Sequence, residues 1–455
     1  MSSVSLNSAL AIEGVLKLKP SGGFEVGVLK FGVLGLCTSL AYGLLPPSVK
    51  PACLFLCYRE RLERRQRLMF RSRLTNWLRA RMLACGFVEL TTPLLTSRSS
   101  EGARSYLVTG ATAGKLYALP QSPQVYKQLV VASGFFKYFQ FAPCFRLERM
   151  ARHRLASEFY QLDLECGFVS LDFVMELTSL LVLQACVEFA PLKQISFGRL
   201  DYFECVKNYA TDKPDLRNPL FYHKFCEGLF CVVLAEAVLH GMDVSDVVDR
   251  LDGQYQRYVS AWKLGSSVLG YRSDFICEKL KLAQADCCVF VLTSSLETLS
   301  GVRSELGRVL RLVSESQLCF CWVAHPPAYK AVNNTLAFNT NPFNDLEWTG
   351  GVFGFRSNQC DLVCNGVELA SGGVRSKDLA SLLKAFSLVG LTESGVQAEF
   401  PGLYLAYCSG LCQHAGLGLG LERLVMLLLD LNSVSDVVLF PSSPSGTEPM
   451  TGAPS

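Results

Sequence analysis

The segment 158–168 limits the possible folds of this chain more than any other, because of the regular spacing of its polar side chains. Residues two apart in an extended strand share a face, so Phe159, Gln161, Asp163 and Glu165 lie on one side. A core-facing side would be apolar, and a solvent-facing side rarely lines up three polar groups with an aromatic one. The segment therefore predicts a β-strand with a ligand-binding face.

Length and composition predict a large folded protein. At about 150 residues per domain, a chain of 455 residues holds about three domains, or two with one large core. A hydrophobic content of 50% and a charged content of 18% exclude a disordered chain. The uncharged runs 31–47 and 400–421 are interrupted by glycine and polar residues, and both fall short of the ~20 strongly apolar residues that a membrane span needs. We therefore expect a soluble protein without a signal peptide, since Glu25 and Lys30 lie among valines.

Cysteine and arginine usage indicate the compartment and the partner. The 19 cysteines include no C-x-x-C pair, which favours buried thiols in a reducing compartment over zinc or disulfides. The net charge is only +3, so affinity for a polyanion must come from local clusters. Arginines crowd segments 59–81 and 146–154; for either segment alone, a solvated helix face or loop is the simpler interpretation.

Local patterns predict alternating strands and helices. Apolar spacing indicates a helix over 70–85, which Gly86 ends, and a strand over 87–92. Further predicted elements are strands at 137–146, 158–168, 287–292, 318–323 and 360–364, helices at 230–239, 275–282 and 376–387, and a glycine run at 416–420 that leads into a leucine-rich helix from Leu424.

Two segments carry an arginine where packing does not require one. Arg146 and Glu148 share a strand face, so one can grip a phosphate while the other accepts hydrogen bonds; a surface ion pair is the competing interpretation. Arg423 lies among leucines after the glycine run 416–420, where burial would demand an anion; alternatively the glycines form an ordinary packing turn.

A third segment carries two acids. Asp361 and Glu368 flank Asn365-Gly366, a spacing that suits a hairpin aiming both carboxylates at one point. Two carboxylates together with phosphate oxygens are the usual way to hold Mg²⁺. A hairpin with two solvated acids is the alternative.

Taken together, these segments resemble a known family. The motifs Gly86-Phe-Val-Glu-Leu-Thr-Thr-Pro93, Phe145-Arg-Leu-Glu148 and Gly418-Leu-Gly-Leu-Glu-Arg423 resemble motifs 1, 2 and 3 of class II aminoacyl-tRNA synthetases. The stretches that look like bacterial-type aspartyl-tRNA synthetases are Ser100-Glu-Gly-Ala-Arg104, Leu119-Pro-Gln-Ser-Pro-Gln-Val-Tyr-Lys-Gln128, Glu158-Phe-Tyr-Gln-Leu-Asp-Leu-Glu165, Asp212-Lys-Pro-Asp-Leu-Arg217, Asn365-Gly-Val-Glu368 and Asp436-Val-Val-Leu-Phe-Pro441.

The resemblance implies an α+β fold, in which helices flank the antiparallel sheet of the class II synthetases. It implies a truncated OB-fold-like anticodon-binding remnant at 1–57, catalytic parts at 58–218 and 317–455, and a shortened α/β inserted domain at 219–316. The implied enzyme is a cytoplasmic homodimer, paired through motif 1, that uses ATP and Mg²⁺ to ligate L-aspartate to tRNA(Asp) through an aspartyl-adenylate. No side chain acts as a general base in this family; positioning and charge stabilisation do the work.

The resemblance also assigns site residues by position. Arg146 and Arg423 are the expected catalytic residues and would bind the α- and γ-phosphates of ATP. Glu148 and Phe159 would bind adenine, and Asp361 and Glu368 would hold the metal, Glu368 also serving ATP. The residues expected around aspartate are Glu101, Ser122, Gln124, Lys127, Gln161, Asp163 and Arg375.

Departures from the family keep alternatives open. Thr340-Asn341 stands where the family has a pair of histidines, and the anticodon-reading strands are absent from the resemblance. A relaxed enzyme that charges both tRNA(Asp) and tRNA(Asn) is therefore one alternative. A non-catalytic RNA-binding paralogue is less favoured, because the motif arginines and acids are all present. An amide-forming synthetase is disfavoured by the bacterial-type insertion and by the basic face. The arginines of 59–81 are a candidate tRNA surface.

Overall fold

A computed structural model describes most of the chain. The residues it describes are 5, 8–20, 22–35, 45, 50, 54–97, 104–110, 112, 114–147, 157–262, 273–280, 287–333, 335–350, 354–442 and 450. None of the helices within these ranges has both the length and the apolar character needed to cross a membrane.

The strands of the described residues are β1 (Ala9–Leu18), β2 (Phe24–Gly35), β3 (Val88–Glu89), β4 (Leu107–Thr109), β5 (Leu116–Ala118), β6 (Lys137–Phe145), β7 (Glu158–Gly167), β8 (Gln194–Asp201), β9 (His223–Cys226), β10 (Leu229–Leu234), β11 (Val259–Trp262), β12 (Cys287–Leu292), β13 (Gln317–Ala324), β14 (Tyr329–Val332), β15 (Thr335–Phe338), β16 (Leu346–Trp348), β17 (Phe355–Ser357), β18 (Gln359–Cys364), β19 (Val367–Val374) and β20 (His414–Gly420). The helices are α1 (Leu54–Glu60), α2 (Leu62–Ala84), α3 (Gln124–Ala132), α4 (Leu171–Phe189), α5 (Tyr202–Tyr209), α6 (Glu236–Leu239), α7 (Val244–Asp249), α8 (Gly253–Gln256), α9 (Ser273–Leu280), α10 (Leu296–Val309), α11 (Leu379–Ser387), α12 (Glu393–Glu399), α13 (Pro401–Cys408) and α14 (Leu421–Leu428), with a 3-10 helix at Val434–Asp436.

The chain divides into two compact units. The first contains Met1–Asn76, Arg146–Glu158 and Val425–Ser455; the second contains Trp77–Phe145 and Phe159–Leu424. Within the first unit, β1 and β2 pair as an antiparallel hairpin. Also within it, Arg67 on α2 forms an ion pair with Asp436 at 3.2 Å.

An eight-stranded sheet forms the centre of the second unit, in the order β3-β6-β7-β20-β19-β18-β13-β8. Only the outermost neighbours, β3 with β6 and β13 with β8, are described as parallel pairs, and the pairs from β7 through β20, β19 and β18 to β13 are antiparallel. The predicted antiparallel sheet flanked by helices is therefore confirmed.

Helix α4 covers one face of this sheet. It contacts β20, β18 and β8, and Ser179 accepts a hydrogen bond from Trp322 Nε1 at 2.9 Å. Trp322 pairs with Leu362 across β13 and β18, so both point toward α4. Because side chains alternate along a strand, Asp361 points to the opposite face, which carries the site.

The region between β8 and β13 builds a second sheet. Its antiparallel order is β11-β12-β10-β9, and it has its own apolar clusters around Val232 and Phe290. The helix predicted over 230–239 is wrong: the segment is strand β10 followed by the short helix α6. Pairing of β10 with both β9 and β12 satisfies its backbone, and this tertiary contact outweighs the local pattern.

Candidate active site

Strand β20 lies directly beside the polar face of β7. Gly416 pairs with Glu165, Gly418 with Asp163 and Gly420 with Gln161. A Cβ atom on Gly416 would collide with the Glu165 carboxylate, and one on Gly418 would lie 2.9 Å from Gln161 Oε1. The glycine run is therefore a buried strand and not a turn, and two of its glycines make room for the side chains of β7.

Four charged side chains meet on this face, all nearly inaccessible to solvent. Lys127 Nζ lies 2.7 Å from Asp163 Oδ1 and 3.1 Å from Glu165 Oε2. Arg375 binds Glu165 with two hydrogen bonds, from Nε to Oε1 at 2.8 Å and from Nη2 to Oε2 at 3.0 Å. The cluster of two cations and two carboxylates is therefore neutral.

Burial and pairing shift the pKa values of the two acids of this cluster in opposite directions. Burial alone would raise the pKa of Glu165, but the charges of Arg375 and Lys127 lower it to about 2. Burial raises the pKa of Asp163 above its ordinary value, and Lys127 only partly offsets this. Glu165 is thus the permanent anion that fixes Arg375.

The guanidinium of Arg375 has little donor capacity left. Besides the two bonds to Glu165, Nη1 donates to Asn344 Oδ1 at 2.6 Å and Nη2 donates to Gly416 O at 3.1 Å. These bonds use four of the five N–H groups of an arginine. One Nη1 hydrogen therefore remains for a ligand that accepts.

Helix α3 brings Gln124 and Lys127 to the site from one face, one turn apart. Gln124 Nε2 donates to Gln128 Oε1 at 3.3 Å, and Gln128 Nε2 lies 3.0 Å from His414 Nε2. His414 Nδ1 is 2.7 Å from Cys412 O, so this nitrogen carries the proton and Nε2 accepts from Gln128. Burial lowers the pKa of His414. A neutral histidine therefore sets the amide orientation of Gln128, and through it that of Gln124.

The two acids predicted to hold a metal lie on the β18–β19 hairpin. Asn365 and Gly366 have φ values of 50° and 81°, as a two-residue type I′ turn requires, which confirms the predicted hairpin. Ser371 Oγ donates to Asp361 Oδ1 at 2.6 Å, and Lys213 Nζ lies 2.9 Å from Glu368 Oε2. Burial, and then the charge of Glu368, raise the pKa of Asp361 to about 7.

Arg423 differs from the sequence expectation. Its side chain is 31% exposed instead of buried, because it lies at the start of α14 beside the hairpin. Its Nη1 donates to Glu368 O at 2.6 Å and lies 3.8 Å from Glu368 Oε1. The structure thus places a partly exposed Arg423 beside Glu368, one of the two acids of the hairpin.

The remaining predicted residues are placed as follows. Ser122 is half-buried just before α3, and Phe159 is half-buried at the start of β7. Arg146 belongs to the first unit, where its backbone N–H donates to Ser157 O at 2.8 Å. Glu101 and Glu148 lie outside the described residues.

Several site residues were missed by the sequence analysis. They are Gln128, Lys213, Asn344, Gln359 and His414, and they join the network through hydrogen bonds or ion pairs with partners far away along the chain. Glu165 was not among the predicted aspartate-binding residues either, although the sequence does place it beside Asp163, two residues further along the same polar strand face.

A polar face in the middle of an antiparallel sheet, with paired acids and arginines, is the site architecture expected of the synthetase class. Residues 53–444 match the family model described as tRNA synthetases class II (D, K and N). The chain therefore belongs to the class II tRNA synthetases.

Individual relatives within this class share sequence or fold with the chain. An aspartate--tRNA(Asp/Asn) ligase from Anaplasma phagocytophilum is 33% identical, over 100% of this chain and 85% of its own length. Ligases of the same name from Ehrlichia chaffeensis and Pelagibacter ubique are 32% and 31% identical, over 99% and 96% of this chain and 86% and 82% of their own lengths. Asparaginyl-tRNA synthetase from Pyrococcus horikoshii, solved with asparaginyl-adenylate, shares the fold at a TM-score of 0.62 and 18% identity, over 98% of this chain and 85% of its own.

Proposed function

We propose that this protein ligates L-aspartate to tRNA(Asp) with ATP, through an aspartyl-adenylate. The single observation that carries the proposal is the neutral buried cluster of Lys127, Asp163, Glu165 and Arg375. Its two cations can still donate hydrogen bonds to a ligand that accepts them. Aspartate ligases are also the relatives that this chain matches over nearly its whole length.

The cluster suits an amino acid with a side-chain carboxylate. Lys127 and Arg375 can only donate hydrogen bonds. A carboxylate accepts from both, whereas the NH₂ group of asparagine would face donors and remain unpaired. A site of this kind can discriminate by about 10⁴. Gln124 and Asp163 would supply acceptors for the ammonium group.

The first step joins two substrates without a covalent enzyme intermediate. An oxygen of the aspartate α-carboxylate attacks the α-phosphorus of ATP in line, a new P–O bond forms, and the bond to pyrophosphate breaks. Arg146 and Arg423 would stabilise the charge on the phosphates. The aspartyl group then passes to tRNA and AMP leaves.

The hairpin acids fit a magnesium ion. Ser371 and Gln359 both donate to Oδ1 of Asp361, which leaves Oδ2 for a hard cation, and Glu368 lies beside Lys213 and Arg423 on the same hairpin. Magnesium takes one or two carboxylates and fills its other positions with water and phosphate, so two acids suffice. Bound there, it would neutralise phosphate charge.

Aspartate-dependent exchange between ATP and radioactive pyrophosphate tests the activation step. We expect exchange with L-aspartate, a rate at least about 10³-fold lower with L-asparagine, and loss of exchange in Arg423→Ala. Exchange with asparagine at a similar rate, or none with either amino acid, would refute the proposal.

A second candidate is that the enzyme charges tRNA(Asn) with aspartate as well. The observation that favours it is the name of the relatives, which are aspartate--tRNA(Asp/Asn) ligases. Charging of both transcripts with tritiated aspartate at comparable kcat/KM would support it. A preference for tRNA(Asp) of about 10³-fold or more would restrict the enzyme to one tRNA.

We also propose that the enzyme acts in the cytoplasm as a homodimer paired through 86–93, as the motif 1 resemblance implies. Sedimentation equilibrium tests the dimer, and a monomeric mass at micromolar concentration would exclude it.

A further inference from the structure

Two amide side chains connect Arg375 to Asp361 across the sheet. Arg375 Nη1 donates to Asn344 Oδ1 at 2.6 Å, and Asn344 Nδ2 donates to Gln359 Oε1 at 3.0 Å. Gln359 Nε2 then donates to Asp361 Oδ1 at 3.2 Å. The result is a continuous chain of hydrogen bonds from a cation to a carboxylate.

The polarity of this chain is determined by its first member. A guanidinium only donates, so the amide oxygen of Asn344 must face Arg375 and its NH₂ group must face Gln359. The oxygen of Gln359 is then turned to Asn344, and its NH₂ group to Asp361. Neither amide can rotate by 180° without breaking two bonds at once.

Additional contacts hold both amides in place. Asn344 is completely buried, and its Nδ2 also lies 3.3 Å from Ser357 Oγ. Gln359 Oε1 also accepts from the backbone N–H of Asn341 at 3.3 Å. Asn341 belongs to the Thr340-Asn341 pair that stands where the family has two histidines. This segment is therefore hydrogen-bonded to the same glutamine, Gln359.

We propose that Asn344 and Gln359 are positioning residues that link the aspartate pocket to the metal-binding acids. Asn344 occupies one Nη1 hydrogen of Arg375 and thereby directs the other toward the substrate side chain. Gln359 orients Asp361 together with Ser371, because both donate to its Oδ1. The inference rests on the proposed function, because it assigns aspartate to Arg375 and the metal to Asp361.

Gln359→Leu interrupts the chain at its centre. Two measurements read the two ends separately: the Kd of L-aspartate by calorimetry without ATP or metal, and the KM of ATP–Mg²⁺ in pyrophosphate exchange. We expect both constants to rise about tenfold, since hydrogen bonds that orient charged groups are lost.

Gln359→Glu tests the direction of the chain and retains nearly the same volume. The carboxylate still accepts from Asn344 but cannot donate to Asp361. We expect the Kd of aspartate to stay within about threefold, while the KM of ATP–Mg²⁺ rises about tenfold. This variant also keeps the proposal testable if Gln359→Leu does not fold.

Gln256→Leu is the matched control. It removes a glutamine amide outside the chain, whose Nε2 donates to the backbone oxygens of Asp249 and Leu251, and we expect both constants to stay within about twofold. Unchanged constants in Gln359→Leu, or equal losses in Gln256→Leu, would overturn the inference. In Gln359→Glu, parallel changes of both constants would do the same. A wild-type protein that does not bind aspartate would refute the proposed function itself, and the inference with it.

Discussion

At the scale of single residues, the pairing of buried charges determines which ligands the site can bind. Lys127 and Arg375 are already paired with Asp163 and Glu165, so the substrate enters a neutral cluster and not a cationic one. The free amino acid carries a net charge of −1, and it must compete for the few donors that the cluster leaves. Specificity therefore depends on donor geometry more than on net charge.

Arg375→Lys tests this dependence on donor geometry. A lysine keeps the charge but cannot form two parallel bonds to Glu165 while also donating to Asn344 and a ligand. We expect the Kd of aspartate to rise about 10- to 100-fold, as measured by calorimetry. An unchanged Kd would show that charge alone is sufficient.

Glu165→Gln tests the pKa of the buried acid through stability. The pKa of Glu165 is lowered from 4.5 to about 2 in the folded state, so the stabilisation is fully present above about pH 4.5 and is lost as the pH falls toward 2. We expect the wild type to exceed the variant by on the order of 3 kcal/mol at pH 7.

The pH series is the measurement for this variant. Melting temperatures of both proteins are compared from pH 7 to pH 3, and their difference should be constant down to about pH 5 and then shrink. A difference that grows on acidification would contradict the assigned direction of the pKa shift.

At the scale of elements, the site depends on one glycine-rich strand lying flat beside β7. Gly416→Ala places a methyl group against Glu165 and Leu164 O, both of which are fixed by the sheet. We expect a loss of about 1 to 3 kcal/mol in stability and a marked loss of aspartate-dependent exchange. Thermal unfolding and exchange kinetics measure the two effects.

Gly253→Ala is the control for that variant. Gly253 lies in α8, and an added Cβ there would meet no atom within 4 Å. It should leave exchange unchanged. Equal behaviour of the two variants would show that β20 has no special need for glycine.

Local sequence patterns predict some of the secondary-structure elements and miss others. Strand β7 and the β18–β19 hairpin follow from alternation and from Asn365-Gly366, because both signals lie within a few residues. The strand β10 was mistaken for a helix, since its pairing partners lie elsewhere in the chain. The partial exposure of Arg423 and the links through Asn344, Gln359 and His414 likewise depend on contacts between distant segments.

At the scale of the whole molecule, tRNA binding needs a basic surface on a protein with a net charge of only +3. Arg59, Arg61 and Arg65 in the first unit are exposed, and they belong to the arginine-rich segment predicted to contact tRNA. Contacts with phosphates release counterions, which makes the affinity dependent on salt.

Replacing these three arginines by glutamate tests the predicted surface. We expect the Kd for tRNA to rise about tenfold or more and the slope of log K against log salt to fall by about 2 to 3. The control is a triple variant with the same change of charge, Lys224→Glu, Arg250→Glu and Arg257→Glu, at exposed positions in the region of the second sheet. It should raise the Kd for tRNA by a smaller factor. Equal effects in both triple variants would exclude a specific surface.

The most direct test of the proposed activity is the formation of aspartyl-tRNA. Purified protein is incubated with ATP, Mg²⁺, tritiated aspartate and a tRNA(Asp) transcript, and acid-precipitable radioactivity is followed beside that of Arg423→Ala. We expect charging by the wild type alone, suppressed by omission of ATP. A wild-type signal no greater than that of the variant would contradict the assignment of this chain as an aspartate ligase.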